Sequence, residues 1–311
     1  MGHRARQAVL ALFLAGLTGA CAGLPAPGAS QVAPVLVQVE NLPAARPQSG
    51  LQSASIVYEY LTEGGISRFS AIYTSPPAGR VGPIRSARLV TIALAKIYGA
   101  IVVFSGGSDY IKGQIQSAGI PNADEISAKG DLFRDNSKAA PHNLFSDGTH
   151  LSDIANHAGA ASPGWTLWDR TSPGSVSGGR TAGQATVPIS NFETPTFAYD
   201  SAAGGWTRKE PDTGPFLDAD SGKPLVVSTL IVQQVVVKPT SEVVDVNGVE
   251  GLDHDITGSG KAQVFTAGRE FDATWTQGSS GPPAFDVGGK PAPIAPGLVW
   301  ICLVPTGTTA T

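Results

Sequence analysis

The chain has 311 residues, of which 41% are hydrophobic and only 15% charged, with 38 glycines and 24 prolines. This is enough apolar material for a real core and enough length for two domains, punctuated by many turns. The net charge of −4 excludes a protein that grips nucleic acid through bulk positive charge, so nucleic acid is not an expected partner.

The first residues read as an export signal rather than as fold: Arg4 and Arg6, an apolar run over 8–17, then Thr18-Gly19-Ala20-Cys21. Small residues before a cysteine suggest a lipobox, with Cys21 lipidated and becoming the first residue of the mature chain. Cleavage after Ala22, giving a soluble secreted form, is the alternative. No later stretch is long and apolar enough to span a bilayer, so the membrane is a partner through the N-terminal lipid. Residues 22–33, rich in Gly, Pro and Ala, read as a tether. The other cysteine, Cys302, falls in an apolar strand-like run and reads as a buried inert thiol.

A strand is expected over 35–40, then a proline-broken loop. Residues 56–62 and 66–74, separated by Glu63-Gly64-Gly65, predict a hairpin. Its two-residue period puts Val57, Glu59, Leu61 and Glu63 on one face, and Tyr58, Tyr60 and Thr62 on the other. Gly82-Pro83-Ile84-Arg85-Ser86-Ala87-Arg88 then leads into a helix over 86–98 that is apolar on more than one side. A strand over 100–104, the turn Ser105-Gly106-Gly107-Ser108-Asp109 and a helix over 110–117 follow. Another helix is expected over 147–158, capped by Asp147 or Thr149. From residue 184 the period becomes that of strands, expected over 185–189, 196–199, 226–237, 242–246, 261–265, 271–275 and 298–304.

The expected fold class is therefore α+β. A leader (1–21) and tether (22–33) precede an N-terminal α/β domain with a mixed sheet (34–171), a linker (172–183), a mostly antiparallel β domain (184–305) and a tail (306–311).

Arg85 and Arg88 at a helix start are electrostatically odd, because a helix N-terminus is itself positive. Their answer is either acidic side chains of the same domain, with Glu59 and Glu63 nearest in the pattern, or an anionic ligand. Arg68, Ser105, Ser108, His142 and Asn143 complete the candidate ligand-binding set, being polar groups at strand ends and on loops. Glu59 and His142 are the possible bases of an enzyme. No G-x-S-x-G elbow, H-E-x-x-H, C-x-x-C or EF-hand spacing occurs, and neither a metal nor another cofactor is expected. In a strand, Asp253 and Asp255 would face away from His254, so that triplet cannot converge on one ion; in a turn it could.

Several strings resemble the DUF3048 family, the YerB-like lipoproteins. In the first half they are the run from Asn41-Leu42-Pro43 to Gly50-Leu51, Ile56-Val57-Tyr58-Glu59, Glu63 through Phe69, Gly82 through Arg88, and Ala140-Pro141-His142-Asn143-Leu144. In the second they are Tyr199-Asp200, Trp206-Thr207-Arg208, Gly258-Ser259-Gly260, Ala273-Thr274-Trp275 and Trp300-Ile301. The likeness spans about residues 34–305. One departure is Pro215-Phe216, where the family pattern has Pro-His. The resemblance implies an exported, two-domain, membrane-tethered protein and no particular reaction. The functional expectation is an envelope lipoprotein, on the outer face of the cell membrane, that binds an anionic or carbohydrate wall component. A hydrolase of a wall polymer or phosphodiester, and a scaffold for another envelope protein, are the alternatives.

Overall fold

The computed structural model describes residues 33–311 except Lys129 and Val246; Cys21, the leader and the rest of the expected tether lie outside the described residues. Strand β1, Val35–Glu40, is buried along its whole length. Strands β2, Ile56–Leu61, and β3, Ser67–Tyr73, form the expected hairpin around the turn Glu63–Gly65. Gly64 and Gly65 there take φ values of 76° and 80°, a region where a side chain would be strained. The register pairs Tyr60 with Arg68 and Leu61 with Ser67.

Helix α1, Leu89–Tyr98, begins three residues later than the pattern suggested, because Arg88 is still extended at φ −136° and ψ 172°. Arg85 and Arg88 thus precede the helix instead of sharing one of its faces. Strand β4, Ile101–Val103, leads through the glycine turn into helix α2, Asp109–Ser117, and β5, Asn122–Ala123, follows. Asp147 caps α3, Gly148–Ala158, by accepting from the His150 amide at 3.0 Å.

The second half supplies β6, Thr229–Val243; β7, Glu250–Asp255; β8, Ser259–Thr266; β9, Arg269–Thr276; β10, Ala284–Val287; β11, Lys290–Pro291; and β12, Val299–Pro305. Strands at Gly205–Glu210, β7 and β10 carry weak apolar patterns and were not expected. The segment 242–246, expected as a separate strand, begins as the end of β6, and the strand expected over 185–189 stops at Thr186.

One mixed sheet runs through both halves in the order β11-β10-β9-β8-β6-β12-β2-β3-β1-β4-β5. The last strand, β12, lies parallel to both neighbours, β6 and β2. The short strand Arg180–Thr181, inside the expected linker, pairs with β9. A second, antiparallel sheet is built on Thr196–Asp200 and Gly205–Glu210. Its Phe197 and Trp206 share a core with Val57, Phe69, Trp300 and Cys302 on one face of the main sheet. The opposite face, with Tyr58, Tyr60 and Ile72, is covered by Val90, Leu94 and Tyr98 of α1 and Ile111 and Ile115 of α2.

Strand β6 outruns the sheet. Beyond Val235 it pairs, among the described residues, only with β7, making a two-stranded arm that folds back over α1. The alternation expected of Asp253-His254-Asp255 holds. His254 is buried against the Tyr60 ring, with centroids 5.6 Å apart, while Asp253 and Asp255 are exposed on the other side.

Candidate functional site

The segment Gly82 to Arg88 is wedged between three neighbours. Glu40 N–H donates to the Pro83 carbonyl and Arg85 N–H to that of Gln38, which fixes the segment beside the end of β1. Ile84 N–H donates to Leu144, and Ser105 N–H and Ala87 N–H bind it to the glycine turn after β4. Gly82, at φ 151°, has no room for a side chain: a Cβ would lie 2.8 Å from the Leu144 carbonyl oxygen. The arginines are thus delivered where the carboxyl ends of parallel strands β1 and β4 meet the starts of α1 and α2. Ligands of open α/β sheets collect at such places, and helix N-termini favour anions there.

The arginines differ in how far they are neutralised. Arg88 is buried; its Nε donates to Glu63 Oε2 at 2.7 Å and its Nη1 to the Ala87 carbonyl at 3.0 Å. Arg85 Nε donates to Glu40 Oε1 at 3.0 Å, and no bond to its terminal nitrogens occurs among the described residues. The second Glu40 oxygen meets His142 Nδ1 at 2.8 Å. Glu40 itself is fully buried, so the pair around it is shielded from solvent on one side.

Arg68 lies across from Glu40 in the strand register. It is 4% exposed, yet its Nε and Nη1 have no hydrogen-bond partner and it forms no ion pair among the described residues. Burial, and next the Arg88 charge, lower its pKa to about 10. A buried guanidinium with free N–H groups is costly, since desolvation is uncompensated by hydrogen bonds. Beside it Tyr60 Oη donates to Gln38 Oε1 at 2.9 Å and contacts Ser70 Oγ at 2.8 Å, which holds the floor of the site rigid.

Of the other expected residues, Ser105 reaches Glu125 at 3.5 Å and flanks the arginine segment through its backbone. Ser108 caps α2 by accepting from the Ile111 amide at 3.2 Å. Asn143 accepts from Arg134 Nη1 at 2.6 Å, and Arg134 also grips Glu125 with two nitrogens.

Glu59 does not meet the arginine pair. It points to the opposite face of the sheet, into a separate buried network. Its Oε1 accepts from Arg208 Nη2 at 2.6 Å and Ser67 Oγ at 2.8 Å, and its Oε2 from Trp300 Nε1 at 2.9 Å. Arg208 also bonds Glu210, and sits 4.8 Å from the Phe216 ring centroid and 5.1 Å from that of Trp300. Phe216, the departure from the family pattern, thus serves as a packing surface for a buried cation. Glu193 and Arg46 extend the network toward the surface. Burial first, and then the Glu59 and Glu210 charges, raise the Glu193 pKa to about 7. Sequence reading missed Glu40, Arg46, Glu193, Arg208 and Glu210. Glu40 had a local signal, since it follows Gln38 at strand spacing on an otherwise apolar strand.

Residues 21–161 match the family model described as "Protein of unknown function (DUF3048) N-terminal domain", and residues 185–301 match the corresponding C-terminal domain. The chain belongs to the DUF3048 family. A family relative in Bacillus subtilis (strain 168), named "Putative lipoprotein YerB", is 31% identical over 279 residues, covering 88% of this chain and 81% of that protein. The crystal structure of YerB protein from Bacillus subtilis superposes with a TM-score of 0.76 at 28% identity, covering 91% of this chain and 94% of that one. The α+β fold of this DUF3048 protein is therefore that of a YerB-like protein. No helix among its described residues is long and apolar enough to cross a membrane.

Proposed function

We propose that this protein is an exported envelope protein, anchored by lipid at Cys21, that binds an anionic group of a cell-wall component at Arg68 and Arg85. The observation that carries the reading is the buried guanidinium of Arg68, whose Nε and Nη1 find no acceptor among the described residues, beside a second arginine whose terminal nitrogens are unengaged among them. An oxyanion placed there supplies the missing acceptors through charge-assisted hydrogen bonds, which are roughly twice as strong as neutral ones. Glu40 and His142 hold Arg85 in place from behind. The name of the Bacillus relative, which calls that protein a lipoprotein, supports the anchor.

The test is calorimetric titration of the full-length protein in detergent with poly(glycerol phosphate) and with polygalacturonate. Binding of at least one polymer, abolished in both Arg68→Gln and Arg85→Gln variants with native circular dichroism, is the expected result. Binding that both variants retain removes the assignment.

A further inference from the structure

The charges around Arg68 count to an unequal sum. Among the described residues, Arg68, Arg85 and Arg88 face two ion-paired carboxylates, Glu40 and Glu63, so one positive charge is left over, and it resides on Arg68, the arginine without an ion pair. The surrounding ring is balanced. Glu125 is matched by Arg134, while Arg80 bonds Asp135 and Asp220, and Lys138 gives its ammonium to the Ala45 and Arg46 carbonyls. Asp245, at the tip of the arm, accepts from the Val249 and Asn247 amides, and the Arg88 charge acts on it only from beyond ion-pair distance.

We infer, resting on the anion-binding reading above, that the site is built for a singly charged oxyacid group, a phosphodiester or a carboxylate, and selects against a doubly charged phosphomonoester. A monoanion brings the local sum to zero. A dianion leaves one charge without a counter-ion in a site where Glu40 is fully enclosed, and the desolvation of that second charge is unrecovered. The geometry agrees with the count. Arg68 and Arg88 are buried while the Arg85 side chain is 26% exposed, so acceptor oxygens go inward and substituents outward. A phosphodiester has two free oxygens and two ester arms, and a carboxylate has two oxygens and one arm. A phosphomonoester has a third charged oxygen that meets no cation.

The experiment is amide chemical-shift titration of the protein with dimethyl phosphate, acetate and methyl phosphate at about pH 8, where the last is a dianion. Saturable shifts around residues 82–88 with dimethyl phosphate or acetate, and binding of methyl phosphate weaker by about tenfold or more, are expected. Whichever monoanion binds more tightly assigns the group to a phosphodiester or a carboxylate polymer. Methyl phosphate binding as tightly as the monoanions overturns the valence preference and leaves the anion site standing. Saturation by none of the three overturns both. Loss of the shifts in Arg68→Gln is expected, and Arg85→Gln, at a more exposed position, gives the same answer if the first variant does not fold; shifts that persist in Arg85→Gln remove the site.

Discussion

At the scale of single residues, the protein has two arginine clusters with opposite fates, one on each face of one hairpin. Arg208 is enclosed by four aromatic rings and two carboxylates. Replacing it by Met leaves Glu59 buried without a cation and Glu210 with only Arg46, 3.6 Å away, and should cost about 3–5 kcal/mol in urea unfolding. The double variant Glu59→Gln/Arg208→Met should lose clearly less than the two single losses added together, because the groups are in direct contact. Strict additivity would contradict the coupling. Sequence reading joined Glu59 to Arg68, although a period of two already separated them. The hairpin turn pairs Arg68 with Tyr60, so Arg68 shares the tyrosine face, and Glu59 shares the other with Val57. Arg85, Arg88, Arg68, Glu63 and His142 were legible because each falls at a strand end or beside a glycine turn. Arg208 was not. Trp206, Arg208 and Glu210 make too weak an apolar pattern to mark a strand, and the rings that bury Arg208 arrive from Phe69, Phe216 and Trp300, far away in the chain.

At the scale of elements, the decisive piece is β12. An apolar run close to the C-terminus was readable as a strand, but nothing local says that it inserts between a strand of the first half and one of the second. Period and turn chemistry specify elements, whereas the choice of partner depends on contacts distant in sequence. Trp300, Cys302 and Val304 fill one core from this strand, and Ile301 and Leu303 fill the other. Removing residues 299–311 therefore exposes both faces and leaves two long edges, those of β2 and β6, open to pairing. Such a truncation should be insoluble or lack a cooperative thermal transition. A well-folded truncation, with native near-ultraviolet circular dichroism, would show that the sheet does not depend on its central strand. The Cys302 thiol, pushed well up by burial, should react with Ellman's reagent only on unfolding.

At the scale of the whole molecule, two buried acids and one buried histidine pull the pH dependence of stability in opposite directions. Glu193 and Glu59 have carboxyl pKa values raised chiefly by burial, the first to about 7. Between the ordinary carboxyl range and about pH 7, the unfolded chain has lost a proton that folded Glu193 keeps, so its contribution to stability falls as pH rises through that window. His254, buried against Tyr60, has its pKa lowered by desolvation to about 4, with the Leu252 backbone pulling weakly the other way. Between that value and the ordinary histidine range near 6.5, the unfolded chain binds a proton that the folded chain refuses, so this contribution rises with pH. The windows overlap, and the two slopes oppose each other. Relative to the parent, Glu193→Gln should therefore gain stability with rising pH between about 5 and 7, and His254→Leu should lose it between about 4 and 6.5. The His254→Leu protein should also match or exceed the parent's stability at about pH 5, since a buried, poorly bonded polar ring is exchanged for an apolar side chain. Urea midpoints measured across this range for the three proteins check each sign separately. Parallel curves for the parent and His254→Leu would mean that His254 keeps its ordinary proton affinity in the fold, with the arm opening readily enough to hydrate it.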